Sequence, residues 1–168
     1  MKRMILVALA VVMATMTMGC VHSKLTGTLE HVNPPNAEIA FNIAPKEIWA
    51  TFGWAIVPTE TTTFDGKYEM ERAIQQVFAD KAIAFNSNDA KTIVNITPER
   101  YKMKISFKKT TGIMTATVEA NGKKETLKAY GTHELRPFFV TSNQQMMEKL
   151  ARDTHYELAT KIRAWLGM

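Results

Sequence analysis

Apolar and polar residues alternate most cleanly from Arg100 to Lys108. Tyr101, Met103, Ile105 and Phe107 fall on one side, and Arg100, Lys102, Lys104, Ser106 and Lys108 on the other. A period of two marks a half-buried strand. Thr92–Ile96 reads as a strand ahead of it, bent or interrupted at Pro98, and Lys109-Thr110-Thr111-Gly112 reads as a turn. Asn121-Gly122 suits a two-residue type I′ hairpin, because both central positions need positive φ. That turn dictates a register in which Ala120 meets Lys123, Glu119 meets Lys124, and so on to Met114 with Ala129. Met114, Ala116, Val118, Leu127 and Ala129 then share one face, while Thr115, Thr117, Glu119, Lys124, Thr126 and Lys128 share the other.

The period lengthens in two places. After Asp65, a natural N-cap, Met70, Ala73, Ile74, Val77, Phe78 and Ala82 recur at three- and four-residue steps. They predict an amphipathic helix of about four or five turns. Met147, Leu150, Ala151, Thr154, Leu158, Ile162 and Trp165 mark a second helix, opened by a Ser142–Gln145 capping box and ended near Gly167. Elsewhere the pattern is weaker. Glu38–Ala44 alternates enough for a first strand, stopped by Pro45. Lys46–Val57 fits neither period, so a short helix from Pro45 and a strand near Gly53–Val57 both stay open. Pro58–Thr63 reads as a loop, and Asn86–Lys91 as a polar break. Hairpins with one apolar face and two amphipathic helices predict an α+β fold. Its form is a two-layer sandwich, an antiparallel β-sheet with both helices packed on one face.

The first residues differ in kind. Met1-Lys2-Arg3 is basic, and Met4–Met16 is an apolar run too short to span a bilayer comfortably. This is the anatomy of a secretory signal peptide. The chain's 1 cysteine excludes an internal disulfide and a multi-cysteine metal site. It stands at the end of this signal, as Thr17-Met18-Gly19-Cys20. The ending resembles the lipobox of bacterial lipoproteins, with Gly19 as the small residue before the cysteine and Thr17 where the motif has an aliphatic one. The resemblance implies cleavage after residue 19 and acylation, palmitate included, at Cys20, with membrane lipid as the first partner. Val21, in place of an aspartate, implies the outer membrane and a domain in the periplasm. The organisation expected is a signal peptide at 1–19, a membrane-proximal tether at 20–37 and a single α+β domain at 38–168. The layout of a mid-chain helix, a β-meander and a C-terminal helix also resembles small envelope-assembly and transport-auxiliary lipoproteins. That likeness implies an envelope protein partner.

Composition narrows the function little further. With 46% hydrophobic and 22% charged residues over 168 positions the chain is globular. Loss of Lys2 and Arg3 with the signal lowers the net charge from +5 to +3. So mild a basicity makes no argument for nucleic acid. It is concentrated, however, on the outward strand positions Arg100, Lys102, Lys104, Lys108, Lys124 and Lys128. Such a stripe fits phosphates of anionic lipid or lipopolysaccharide, or an acidic protein; it also fits a merely solvated face. His133 with Glu134, and Asp153 with His155, have metal-ligating chemistry without ligand spacing, so exposed polar histidines are expected and no metal. No GxSxG, P-loop, GxGxxG or HExxH occurs, so neither an enzyme nor a cofactor is expected. Trp49, Phe52 and Trp54 are read as closing one end of the core, with an exposed binding edge as the alternative.

Overall fold

The computed structural model describes residues 21–25, 27, 29–54, 57–105, 109–134 and 143–168. The residues from Met1 to Cys20, Lys108 and the Ser142 cap lie outside the described residues, as do the side chains of Phe52 and Trp54. Along the chain run β1 (Val21–Leu25), β2 (Ala37–Ile43), β3 (Glu47–Trp54), β4 (Val57–Asp65), α1 (Gly66–Val77), β5 (Ile83–Phe85), β6 (Ala90–Ile105), β7 (Lys109–Ala120), β8 (Lys123–Glu134) and α2 (Asn143–Trp165).

The strands form a five-stranded sheet in the order β5-β2-β6-β7-β8 and a three-stranded sheet in the order β1-β4-β3. The first is mixed, which corrects the antiparallel expectation. β2 pairs in parallel with both β5 and β6, while β6–β7 and β7–β8 are antiparallel. The reason is topological. β3, β4 and α1 lie between β2 and its two neighbours in the chain, and a crossover of that length returns the chain in the same direction. The α+β class stands.

The Asn121-Gly122 turn has φ values of 51° and 73°, as type I′ demands. The β7–β8 register runs Ala120↔Lys123, Glu119↔Lys124 and on through Met114↔Ala129, as the turn dictates. β6 is one strand from Ala90 to Ile105, with a register shift between Pro98 and Arg100. A proline has no ladder donor, and the bulge absorbs its misfit. The expected turn at Lys109–Gly112 is instead the start of β7. Pro58–Thr63, expected as a loop, belongs to β4. β-branched threonines favour extended backbone, and pairing with β3 supplies the ladder. That same pairing makes Glu47–Trp54 a strand.

Asp65 caps α1, its Oδ1 accepting from the N–H groups of Lys67 (3.0 Å) and Tyr68 (3.2 Å). The helix has 12 residues and is shorter than the apolar stripe suggested, because the chain turns at Phe78. Arg163 of α2 ties the two helices together, donating to Asp80 at 2.7 and 2.8 Å and to the Val77 carbonyl.

One core joins these parts. Met70 and Ile74 from α1, Phe78 just beyond it, and Met147, Leu158 and Ile162 from α2 meet Ile39, Phe41, Val94, Ile96, Met114 and Val118 of the larger sheet. Ile48 and Phe64 bring the smaller sheet into the same cluster. α2 lies unusually close to β7 and β8, whose Gly112 and Gly131 are cross-strand partners. A Cβ on Gly131 would stand 2.8 Å from the Leu150 carbonyl oxygen and 2.9 Å from the Thr154 nitrogen. Glycine is what the helix backbone's approach requires there.

Candidate functional site

The side of the larger sheet away from the helices carries the basic residues. In an antiparallel ladder, directly opposed residues share a face. Arg100, Thr115 and Lys128 therefore form one row across β6, β7 and β8. Lys102, Ile113 and Tyr130 form the next, and Lys104, Thr111 and Thr132 the one after. Arg100, Lys102, Lys104, Lys124 and Lys128 are all exposed. The structure thus brings Arg100, Lys102, Lys104 and Lys128 into adjacent rows. Lys124 stands apart, toward the Asn121-Gly122 turn and opposite Glu119.

The spacing sets what such a face can do. Same-face residues along a strand are about 7 Å apart, and the outer strands of a three-strand row about 10 Å. Those distances are close to a Debye length of about 8 Å at physiological salt. The charges cannot all converge on one phosphate, but they add up against an extended anionic surface. Carboxylates temper the face. Glu119 is paired with Lys124 in the ladder, Glu99, at the bulge, accepts the Thr117 hydroxyl, and the exposed Glu134 stands opposite Lys109 at the far end of β8.

Helix α2 adds a cation that the sequence pattern did not assign, Lys161, which is itself paired with Glu157 at 2.9 Å. The Lys161 ammonium lies 5.6 Å from the Tyr130 ring centre, and that of Lys128 lies 5.3 Å from it. Tyr130 is 44% exposed, so the ring and its two cations are accessible. A cation over an exposed ring is worth about 0.5–1 kcal/mol. Lys161 also donates to the Lys128 carbonyl at 2.6 Å, and Glu157 accepts from the Tyr130 N–H at 2.6 Å. These two side chains occupy backbone groups that an added strand would need at the β8 edge. At the other edge the Asn33 amide does the same for Phe85, donating to its carbonyl at 3.0 Å and accepting from its N–H at 2.9 Å.

Trp49 is 58% exposed, contrary to the expectation that it closes the core; the buried Ile48 beside it does so. Trp49 lines a cavity of about 210 Å³ with Lys46, Pro98, Arg100, Tyr101 and Met114. The segment read as a tether supplies β1, paired in parallel with β4. Within it His31 lies 2.9 Å from Glu71 Oε2 and packs on the Phe85 ring. Glu71, off the apolar stripe in sequence, is only 5% exposed. His31, Glu71, Asp65, Lys67 and Tyr68 line a further cavity of about 240 Å³.

His155 is buried, which corrects the expectation of an exposed histidine. It occupies the helical step between Ala151 and Leu158, and that step was the available signal. Its Nδ1 lies 2.7 Å from the Ala151 carbonyl oxygen, so the neutral ring donates from that nitrogen. Burial pulls its pKa down to about 4. Between the helices, burial pushes the Glu69 carboxyl up, against the pull of Arg72 and Arg152. Among the described residues no group of three or more His, Cys, Asp or Glu side chains is placed to hold a metal ion. No described helix is long and apolar enough to cross a membrane.

No protein-family model matches the chain, and no curated protein matches it in sequence. It is similar in structure to a minor lipoprotein from Acinetobacter baumannii, with 15% identity, 86% of this chain and 90% of that chain covered, and a TM-score of 0.45. It is also similar to protein XCC0632 of the DUF330 family from Xanthomonas campestris, with 13% identity, 86% and 90% covered, and a TM-score of 0.42. Likeness this loose says nothing of ligand or partner.

Proposed function

We propose that the chain is a bacterial lipoprotein, acylated at Cys20 and held at the outer membrane. There its α+β domain serves as a non-catalytic binding or scaffolding module in envelope assembly or transport. One observation carries this reading: the single cysteine stands at the end of a basic, then apolar, signal-like start. The acyl chains tether the domain durably, since two or more are needed for stable anchoring. Cys20→Ser is expected to move the protein from the membrane fraction to the soluble periplasm. Retention of that variant in washed membranes would contradict the reading. Crosslinking in intact envelopes identifies the protein partner.

A second reading rests on the rows of Arg100, Lys102, Lys104 and Lys128: the basic face binds the phosphates of anionic lipid or lipopolysaccharide. Each basic side chain near an anionic membrane contributes about 1 kcal/mol. Reversing two of them, in Lys102→Glu with Lys104→Glu, is therefore expected to weaken binding to phosphatidylglycerol vesicles by at least about tenfold at low salt. Unchanged, salt-insensitive binding by this variant removes the basic face from the account.

A further inference from the structure

Four of the chain's eight asparagines gather in one place. Asn42, Asn86, Asn88 and Asn95, with Thr97, line a cavity of about 480 Å³ at the carboxyl ends of the parallel strands β2 and β5. Asn42 and Asn95 are ladder partners. Each lies between two core residues of its strand, Phe41 and Ile43 or Val94 and Ile96, so both face away from the core. Asn86 extends β5: its N–H donates to the Phe41 carbonyl at 3.1 Å. Its φ of 51° is in the left-handed region, which asparagine tolerates. Beneath these side chains the Ala44 N–H donates to the Ile96 carbonyl at 2.9 Å, so the floor is hydrogen-bonded backbone.

No residue lining this cavity is charged. Small-molecule sites of about 300–1,000 Å³ are lined mainly by apolar and aromatic side chains. This one has the volume but presents carboxamides. A carboxamide offers an acceptor oxygen and two donor hydrogens, the complement of a hydroxyl group that both gives and takes. Asn42 Nδ2 donates to Asn95 Oδ1 at 3.3 Å and to Asn88 Oδ1 at 3.5 Å. Those bonds engage one side of each carboxamide and leave the other side, the Asn42 oxygen and the Asn88 and Asn95 amino groups, to bond a ligand.

The cavity continues past Asn86. That residue also lines the cavity of about 240 Å³ that holds Lys67, Tyr68 and Glu71, and its Oδ1 accepts from the Lys67 ammonium at 3.1 Å. Glu71 is 5% exposed. Its Oε1 accepts no hydrogen bond among the described residues, with the Lys67 ammonium 3.7 Å away. A buried carboxylate oxygen without a donor is costly, and a donor brought by a ligand relieves that cost.

We propose that the two cavities form one cleft that binds a short stretch of neutral glycan. Its ring hydroxyls meet Asn42, Asn88, Asn95 and Thr97, and a hydroxyl at the other end donates to Glu71 Oε1. A neutral polyol fits better than an ion. The larger cavity has no charge to select one, and the charges at its borders are engaged, Glu119 opposite Lys124 and Lys67 with Asn86. The cleft gives the domain a site distinct from the basic face. It depends on neither that face nor the acylation of Cys20.

The test uses the full-length protein in lauryldimethylamine oxide, a detergent without sugar, with triacetylchitotriose and maltotriose as probes. Saturation-transfer NMR is expected to show binding of at least one of them, equal at low and high salt. Triacetylchitotriose alone marks an amino-sugar chain as the ligand, and maltotriose a plain hexose chain. Asn88→Ala with Asn95→Ala, both exposed positions, should weaken binding about tenfold or more, as loss of several hydrogen bonds does. Thr97→Val keeps the side chain's shape and should weaken it by a smaller factor, which decides the matter should the double variant not fold. Lys102→Glu with Lys104→Glu should leave it unchanged. Binding of neither sugar overturns the proposal. So does binding that matches wild type in the asparagine and threonine variants, or that falls with salt or with the lysine reversals.

Discussion

The two long hairpins of the molecule are built on opposite logic. β7–β8 turns on Asn121-Gly122 and alternates along both strands, and its inner residues Met114, Ala116, Val118 and Ala129 are buried under the helices. β3–β4 has a register shift at Phe52/Gly53 and gives the shared core Ile48 and Phe64. The first hairpin is specified by its turn and by the core beneath it. The second is held by its partner strand β1 and by a few core residues. A region whose local pattern and global role agree is expected to be structural. One whose pattern disagrees with the fold is where function is sought.

Substitutions can break that contrast. The largest effect is expected at Gly131→Val, which drives a side chain into the backbone of α2 at Leu150 and Thr154. Overpacking against backbone that cannot yield should cost about 3 kcal/mol or more, read as a fall in the denaturation midpoint at unchanged slope.

The helix over this hairpin also carries a pH response. His155 binds a proton near pH 6.5 in the unfolded chain but only near 4 when folded. Between those values the unfolded state holds more protons, so stability is complete above 6.5 and falls as pH drops toward 4. The loss should approach about 3 kcal/mol. His155→Leu is expected to flatten that part of the stability–pH curve. An unchanged slope in the variant would assign the response to other groups; Glu69 is not one of them, because a carboxyl raised by burial gains stability as pH falls.

Gly122→Ala places a Cβ at a φ of +73° and should cost about 1–2 kcal/mol.

The same contrast governs how much could be read from sequence. The β7–β8 register, the Asp65 cap and the buried stripe of α2 follow from local rules, so periodicity alone located them. Hence Arg100, Lys102, Lys104 and Lys128 could be placed on one face before any coordinates existed. What local pattern does not encode is which strands meet. The parallel pairing of β2 depends on a crossover through β3, β4 and α1, and the three residues of β5 are too few to show a period. β4 was obscured by Pro58 and a run of threonines without alternation. Lys161 and Tyr130 come together only because α2 packs along the β8 edge, and their sequence neighbourhoods give no sign of it. Likewise the placement of Val21 beside the β3–β4 hairpin is a fact of long-range register alone.

The account turns on Cys20. Its most direct test is the mass of the N-terminal peptide of the protein extracted from bacterial membranes. The account predicts a peptide that begins at Cys20 and carries acyl chains. A peptide with an unmodified Cys20, or one that begins at another residue, would contradict it.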